Sequence, residues 1–421
     1  MTILDQLTDA MNAAASTVRD EELQPLAMPK RRWRPPAWTS PVAAAAAVVL
    51  VIGLTVAVSH GLFGTRQPAG PGPARLPAAP HRFYVATDLA SGQTVIRSTA
   101  TGKAIAVVPV PSLKVNGLPL SPVLAEAGNG TFYLAAFGRG RPGEQIYRFG
   151  VTAAGHVTGF GRVPGGQLPA GWAVDALAAS PDGSMVAAGT SYRYGGHPGQ
   201  SDELIVIHTA TGVQGLFRGG TLAPGYRYFR VASLSWTGNG RQLAVLGQWC
   251  RTTTDPGGET CPLPERDAEV WAISPASRLS GSVQGGRLLL AQSPQLPFLA
   301  QALISPDGSV MTAVVLRGSA VGNRQVSGFF PRNLSVERIS VATWRRLGVL
   351  YQRNLGDTSE VSGGVADPLA LSADATGSNL ILDGGICNLH CTNGFNGWLH
   401  AGQLVPLQPA GFMHREAAEA W

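Results

Sequence analysis

Four cysteines and a scatter of aromatic and basic side chains are the residues here whose types and spacing could do chemistry. Cys250 and Cys261 are neighbours in the chain, as are Cys387 and Cys391. In an oxidising compartment two such pairs can close as disulfides, and locality favours Cys250–Cys261 and Cys387–Cys391 over the other connectivities. Free thiols are one alternative. A metal is another, because His390 stands between Cys387 and Cys391. Two Cys with a distant second pair is poor zinc spacing, so no metal and no cofactor is expected.

The aromatic and basic side chains point to binding rather than to catalysis. Tyr192, Tyr194, His197, Trp249, Arg251, Phe329, Phe330, His390 and Phe395 fall in long segments between apolar runs, with Trp172, Tyr226 and Tyr228 in other connections. Such residues suit recognition of a protein or sugar surface. For any one of them, packing beneath its own loop is the plainer reading. No G-x-S-x-G elbow, H-E-x-x-H helix or Walker loop is present. Asp175, Glu269 and Asp367 sit near strands, but nothing in their spacing selects a catalytic pair.

The elements that would carry these residues are strands. Ser180-Pro-Asp-Gly183 and Ser305-Pro-Asp-Gly308 each separate two apolar runs, and Ser235–Gly240 and Ser372–Gly377 are degenerate copies. Thr99-Ala-Thr-Gly102 and Thr209-Ala-Thr-Gly212 each close a strand. Gly and Asp-Gly supply the positive φ that tight hairpins need. Aligned on these turns, the chain repeats a four-strand unit over 122–163, 174–217, 230–291, 300–351 and 367–409, with a shorter first copy over 82–110. A period of this length favours radial stacking over an open sandwich. The expected fold class is all-β, a β-propeller of six blades, or seven if a strand pair is hidden in a long connection.

Within each unit the first and third connections are tight and the second is variable. Second connections and blade-to-blade connections emerge on one face of a propeller. That face collects Ser191–Asp202, Trp249–Glu269, Arg317–Leu334 and Gly384–Asn396, and with them the aromatic set and all four cysteines. Long loops on a rigid scaffold are where binding concentrates.

Ahead of the repeats the composition changes. Residues 42–63 form an uncharged apolar run long enough to cross a hydrocarbon core of about 30 Å. Lys30, Arg31, Arg32 and Arg34 precede it, and only Arg66 follows closely. The positive-inside rule puts 1–41 in the cytoplasm and everything after Phe63 outside. A cleaved secretory signal is the rival. Leu4, Leu7, Met11 and Val18 give the tail an amphipathic helical pattern that could meet a cytoplasmic partner. Residues 64–81 are a Pro- and Gly-rich spacer, 82–410 the propeller and 411–421 a C-terminal tail. A net charge of +6, with no Lys/Arg stripe interleaved with aromatics, is not a nucleic-acid signature.

The SPDG turns, the strands closing on T-A-T-G and the basic-then-apolar anchor after a polar tail resemble membrane-anchored WD40-like propeller proteins of actinobacteria, and the TolB- and YncE-type propellers. That resemblance implies a single-pass membrane protein with its propeller outside the membrane. Its role would be binding or sensing a protein or cell-envelope polymer through the loop-rich face. A lactonase-type extracytoplasmic hydrolase is the alternative function.

Overall fold

The blades are built from turns whose chemistry is local. In Ser180-Pro-Asp-Gly183, Asp182 Oδ1 accepts hydrogen bonds from the Ser180 hydroxyl at 2.6 Å, the Ser184 N–H at 3.0 Å and the Ser184 hydroxyl at 2.8 Å. Ser180 Oγ in turn accepts from the Met185 N–H at 2.9 Å. Ser305 to Val310 repeats this pattern, except that the Ser309 hydroxyl donates to Asp307 Oδ2. Between them, Thr237 and Asn239 take the parts of Ser and Asp: the Thr237 hydroxyl donates to Asn239 Oδ1, which also accepts from the Arg241 N–H. Gly183, Gly240 and Gly308 stand at φ 70°, 65° and 73°, a region that side chains with a Cβ avoid. The Ser-Asp geometry thus closes each hairpin whatever the rest of the blade does.

These turns make a titration prediction. The Ser305 hydroxyl, the Ser309 N–H and the Ser309 hydroxyl hold the Asp307 carboxyl down at about 2, and Asp182 is lowered for the same reasons. A carboxyl depressed in the folded state adds stability above its unfolded pKa of 3.8, and that stability drains away as pH falls through about 2. Asp307→Ala is expected to cost about 1 kcal/mol at neutral pH. Urea midpoints for wild type and variant should converge as pH drops through that window; a gap that persists at the acid end contradicts the assignment.

The computed structural model describes residues 82–420 apart from connecting segments, the longest being 193–202, 220–227, 251–267, 356–364, 388–394 and 408–415. The tail 1–41, the apolar run 42–63 and the linker 64–81 lie outside the described residues. Among the described residues no helix is long and apolar enough to cross a membrane.

Hairpin follows hairpin to give six four-stranded antiparallel blades, each strand bonded to the next. Blade 2 runs Val123–Glu126, Thr131–Phe137, Glu144–Val151 and Val157–Gln167. Blade 3 runs Trp172–Ala179, Met185–Tyr192, Glu203–His208 and Gln214–Arg218. Blade 4 runs Tyr228–Trp236, Leu243–Cys250, Ala268–Ile273 and Arg287–Ala291. Blade 5 runs Leu299–Ile304, Val310–Asn323, Val326–Ser340 and Arg346–Asn354. Blade 6 runs Ala370–Ala373, Leu380–Gly384, Phe395–His400 and Gln403–Pro406. Blade 1 takes Phe83–Asp88, Gln93–Ser98 and Ala104–Val107 from the start of the domain and its inner strand, Glu416–Ala420, from the end. Each inner strand touches the inner strands on either side, and the ring closes.

Each seam between blades holds its own apolar cluster. Leu204, Phe229 and Val245 lie between blades 3 and 4, and Leu246, Leu299 and Val315 between blades 4 and 5. The seam between blades 6 and 1 is smaller: Tyr84, Ala86, Ile381 and Leu407, with Trp398 against them. Polar staples cross the seams as well. Glu144 Oε2 accepts the Val174 N–H at 2.7 Å, Gln248 donates to the Leu299 carbonyl at 3.2 Å, and Trp236 donates to the Ala178 carbonyl at 3.3 Å. Buried polar groups are tolerated because they are bonded in this way.

Three expectations change. The C-terminal tail 411–421 contains a strand: Glu416–Ala420 pairs antiparallel with Phe83–Asp88. The cause is the three-stranded first unit, which leaves an inner edge open until another strand fills it. Arg317–Leu334 is not a loop, because Val310–Asn323 and Val326–Ser340 pair from Val310↔Ser340 to Asn323↔Val326, with one register shift between Arg317 and Gly318. Only the base of this hairpin is flanked by the other strands of blade 5, so its end is a two-stranded ribbon. Nor is every third connection tight. In blade 4 it holds Ser280–Ser282, which runs parallel beside Gln214–Arg218 of blade 3, followed by a 3-10 turn, Val283–Gly285.

Candidate binding face

Strand direction sorts the connections onto two faces. The turns between first and second strands and between third and fourth strands share one face. Neighbouring contacts show it: Thr209 bonds the Gly183 and Ser184 carbonyls, the Val341 N–H bonds the Ser309 carbonyl, and the Gly238 N–H bonds the Pro306 carbonyl. The strand ends that lead into the second connections and the blade-to-blade segments lie at the other face.

On that second face the described side chains converge at the rim of blade 4. Trp249 lies next to the end of one strand, while Glu269 and Trp271 lie on the next. In the register Gly247↔Glu269 and Val245↔Trp271 pair, so the two Trp residues flank the carboxylate on one side of the sheet. Glu269 Oε2 accepts both indole N–H groups, from Trp249 at 3.2 Å and from Trp271 at 3.0 Å. Phe229 stands edge-on to Trp249, with ring centroids 4.8 Å apart and planes at 64°. Gly247 leaves room for that ring; a Cβ there would lie inside it. The result is a half-buried carboxylate clasped by two indoles over a buried Phe. Such a platform can stack a planar or apolar group while its remaining carboxylate oxygen accepts a hydrogen bond.

The other expected residues are placed as follows. Tyr192 ends a strand of blade 3 opposite Trp172. Phe329 and Phe330 belong to the ribbon of blade 5, opposite Ala320 and Ser319. Phe395 opens the third strand of blade 6 opposite Gly384. Tyr194, His197, Arg251 and His390 lie outside the described residues. Cys250 ends a strand of blade 4, and Cys387 pairs with Val365 in a two-stranded bridge; Cys261 and Cys391 lie outside the described residues. Among the carboxylates, Asp175 is half-buried at a bulge in the inner strand of blade 3, Glu269 is held as above, and Asp367 is outside the described residues. Among the described residues, no group of three or more His, Cys, Asp or Glu is placed to hold a metal.

Sequence reasoning named Trp249 and missed Phe229 and Trp271 as its partners. The signal available was the alternation Glu269-Val270-Trp271, which puts Glu269 and Trp271 on one face, and Gly247 two residues before Trp249.

No family model matches the chain, and no curated protein matches it. Solved propellers do. TolB from Acinetobacter baumannii matches over 80% of this chain and 65% of that one, at 13% identity and a TM-score of 0.46. The chain therefore spans a little under two thirds of that protein's length. A putative TolB from Agrobacterium tumefaciens matches over 77% and 87%, at 11% identity and a TM-score of 0.40. The Cps50 (Swd1) propeller domain from Myceliophteria thermophila matches over 72% and 77%, at 13% identity and a TM-score of 0.38.

Proposed function

We propose that the protein is a membrane-anchored, extracytoplasmic propeller that binds a protein or cell-envelope polymer through its loop-rich face. The observation that carries this is the asymmetry between the faces. One consists mostly of short, hydrogen-bonded turns; the other bears the longer connections and, at blade 4, the Trp249–Glu269–Trp271 clasp. Crosslinking the full-length protein in its native membrane tests it. Trp249→Ala should reduce partner capture with an effect of about 2 kcal/mol if it is a hot spot. Capture that instead follows residues of the SPDG turns would overturn the assignment of the face.

The anchor in this reading is the run 42–63, with the basic cluster Lys30 to Arg34 holding the tail inside. Protease added to intact protoplasts should remove the propeller and spare residues 1–41. A tail digested from outside, or a mature soluble chain beginning near His60, would refute it. Two of the loops would be stapled by Cys250–Cys261 and Cys387–Cys391. Non-reduced peptide mapping should recover both linkages, and free thiols at all four positions would count against them.

A further inference from the structure

Glu269 is a half-buried carboxylate, and among the described residues it makes no ion pair. Its Oε2 accepts the Trp249 and Trp271 indole N–H groups at 3.2 and 3.0 Å, and both donors are neutral. Other carboxylates on the strands are treated differently. Glu203 faces Arg218 at 3.1 Å, and Glu337 meets Arg317 at 2.7 Å and Arg346 at 3.8 Å. A partly buried charge held only by neutral donors keeps its field, and part of its desolvation is left uncompensated. A cation is therefore the ligand this position favours.

The hydrogen bonds also select the kind of cation. Oε2 already takes two donors, so Oε1 is the oxygen left to a ligand. A guanidinium binds a carboxylate best as a fork across both oxygens, and that arrangement competes with the indoles. A quaternary ammonium has no N–H to give. A primary ammonium needs a single acceptor and turns its three donors freely. The surroundings suit the stem behind it. Trp249 and Trp271 flank Glu269 in the register, and Phe229 stands edge-on to Trp249, so a chain of methylenes meets aromatic surface. A cation brought to the carboxylate also comes near two electron-rich indoles. Phe229, Trp249, Glu269 and Trp271 leave Oε1 as their one uncommitted side-chain polar atom. That fits a lysine stem better than the several hydroxyls of an amino sugar.

We propose that the Trp249–Glu269–Trp271 clasp is a seat for a primary ammonium, presented as a lysine side chain by a protein partner. The ammonium rests on Glu269 Oε1 and its methylene stem lies along the indoles. Two hydrogen bonds already fix the carboxylate, so it loses little freedom when the lysine arrives. The inference rests on the loop-rich face being the binding face, and narrows that reading from a surface to one kind of side chain. An arginine or an uncharged side chain at the same place is discriminated against, the first by the occupied Oε2 and the second by the unanswered charge.

The test is fluorine NMR of the full-length protein labelled with fluorotryptophan, in a non-ionic detergent that brings no ammonium of its own. Trp249→Phe and Trp271→Phe assign the two resonances. Nα-acetyl-lysinamide should shift both, saturably, and bind roughly fivefold or more tightly than Nα-acetyl-argininamide or the Nε-trimethylated lysine probe. The Nε-acetylated probe, which has the stem without the charge, should leave both resonances in place. Glu269→Gln keeps an amide oxygen for the indoles, so the free variant should resemble wild type while binding the lysine probe roughly tenfold or more weakly. Equal shifts by the charged and the Nε-acetylated probes, or full affinity in Glu269→Gln, would overturn the cation seat. Tighter binding of the arginine probe would refute the single-oxygen argument. Glucosamine binding more tightly than the lysine probe would replace lysine with an amino-sugar polymer. If Trp249→Ala abolishes partner capture while the lysine probe shifts neither resonance, the face reading stands and the lysine seat fails. If the probe binds as expected and capture ignores Trp249→Ala, the seat stands and the face reading fails.

Discussion

Phe229→Ala should destabilise the propeller by about 3–5 kcal/mol, and Gly247→Ala should destabilise it too, yet the two losses should not add. Phe229 is buried in the seam between blades 3 and 4 and meets Trp249 edge-on. Removing the ring leaves a cavity and the loss of an aromatic pair worth about 1 kcal/mol. Gly247 fails for the opposite reason, since its new methyl would occupy the space of the same ring. Overpacking of this kind costs about 1–3 kcal/mol or more. In the double variant the methyl fills part of the hole that the missing ring leaves. Urea denaturation of all four proteins closes the cycle, and a coupling of about 1 kcal/mol or more is expected. Strictly additive losses would mean that the ring and the glycine do not share that space. Phe229→Ala should also loosen Trp249, and with it one of the two indoles that hold Glu269.

Truncation after residue 415 is expected to have the larger effect. It removes Glu416–Ala420, whose backbone pairs with Val85, Ala86, Thr87 and Asp88. Val85, Ala86 and Thr87 are fully buried in the intact ring. The loss opens the seam between blades 6 and 1, where the apolar cluster is small. The Tyr84 hydroxyl also donates to the Leu407 carbonyl across that seam, at 3.5 Å. At about 1 kcal/mol for each backbone bond lost, the cost is about 4 kcal/mol before any apolar exposure is counted. That is a large share of the stability of an ordinary domain. The truncated chain should unfold at markedly lower urea and bind a hydrophobic dye, and its bare edge should promote association. An unchanged urea midpoint would show that the ring does not depend on this strand.

The parts of the fold legible in the sequence were those whose chemistry is local. Ser-Pro-Asp-Gly is a turn because its own side chains bond its own backbone, so reading it needed no knowledge of neighbouring blades. Counting such turns yielded six units whose limits fall close to the observed strands. The illegible parts depended on partners distant in the chain. Glu416-Ala-Ala-Glu-Ala420 has the composition of a helix, and the waiting edge of Phe83–Asp88 overrides that preference. The ribbon of blade 5 holds Gly318, Ser319, Gly322, Asn323, Gly328 and Pro331, residues that punctuate loops, and it pairs nonetheless. The left-handed turn of blade 5 is hidden in the sequence because such turns are sought at Gly, and here Trp344 holds the position at φ 56°. On the binding face, Trp249 was visible as an aromatic near a long loop, whereas its hold on Glu269 depended on strand register that no single segment reveals.

The pairing of Val85 with Ala420 also sets an order in time. Blades 2 to 6 each contain all four of their strands in one stretch of chain and can form as synthesis proceeds, because their contacts are local. Blade 1 cannot be completed until Glu416–Ala420 has left the ribosome. Its first three strands must wait, with an open inner edge, through the making of nearly the whole domain. Such waiting edges are what chaperones shield.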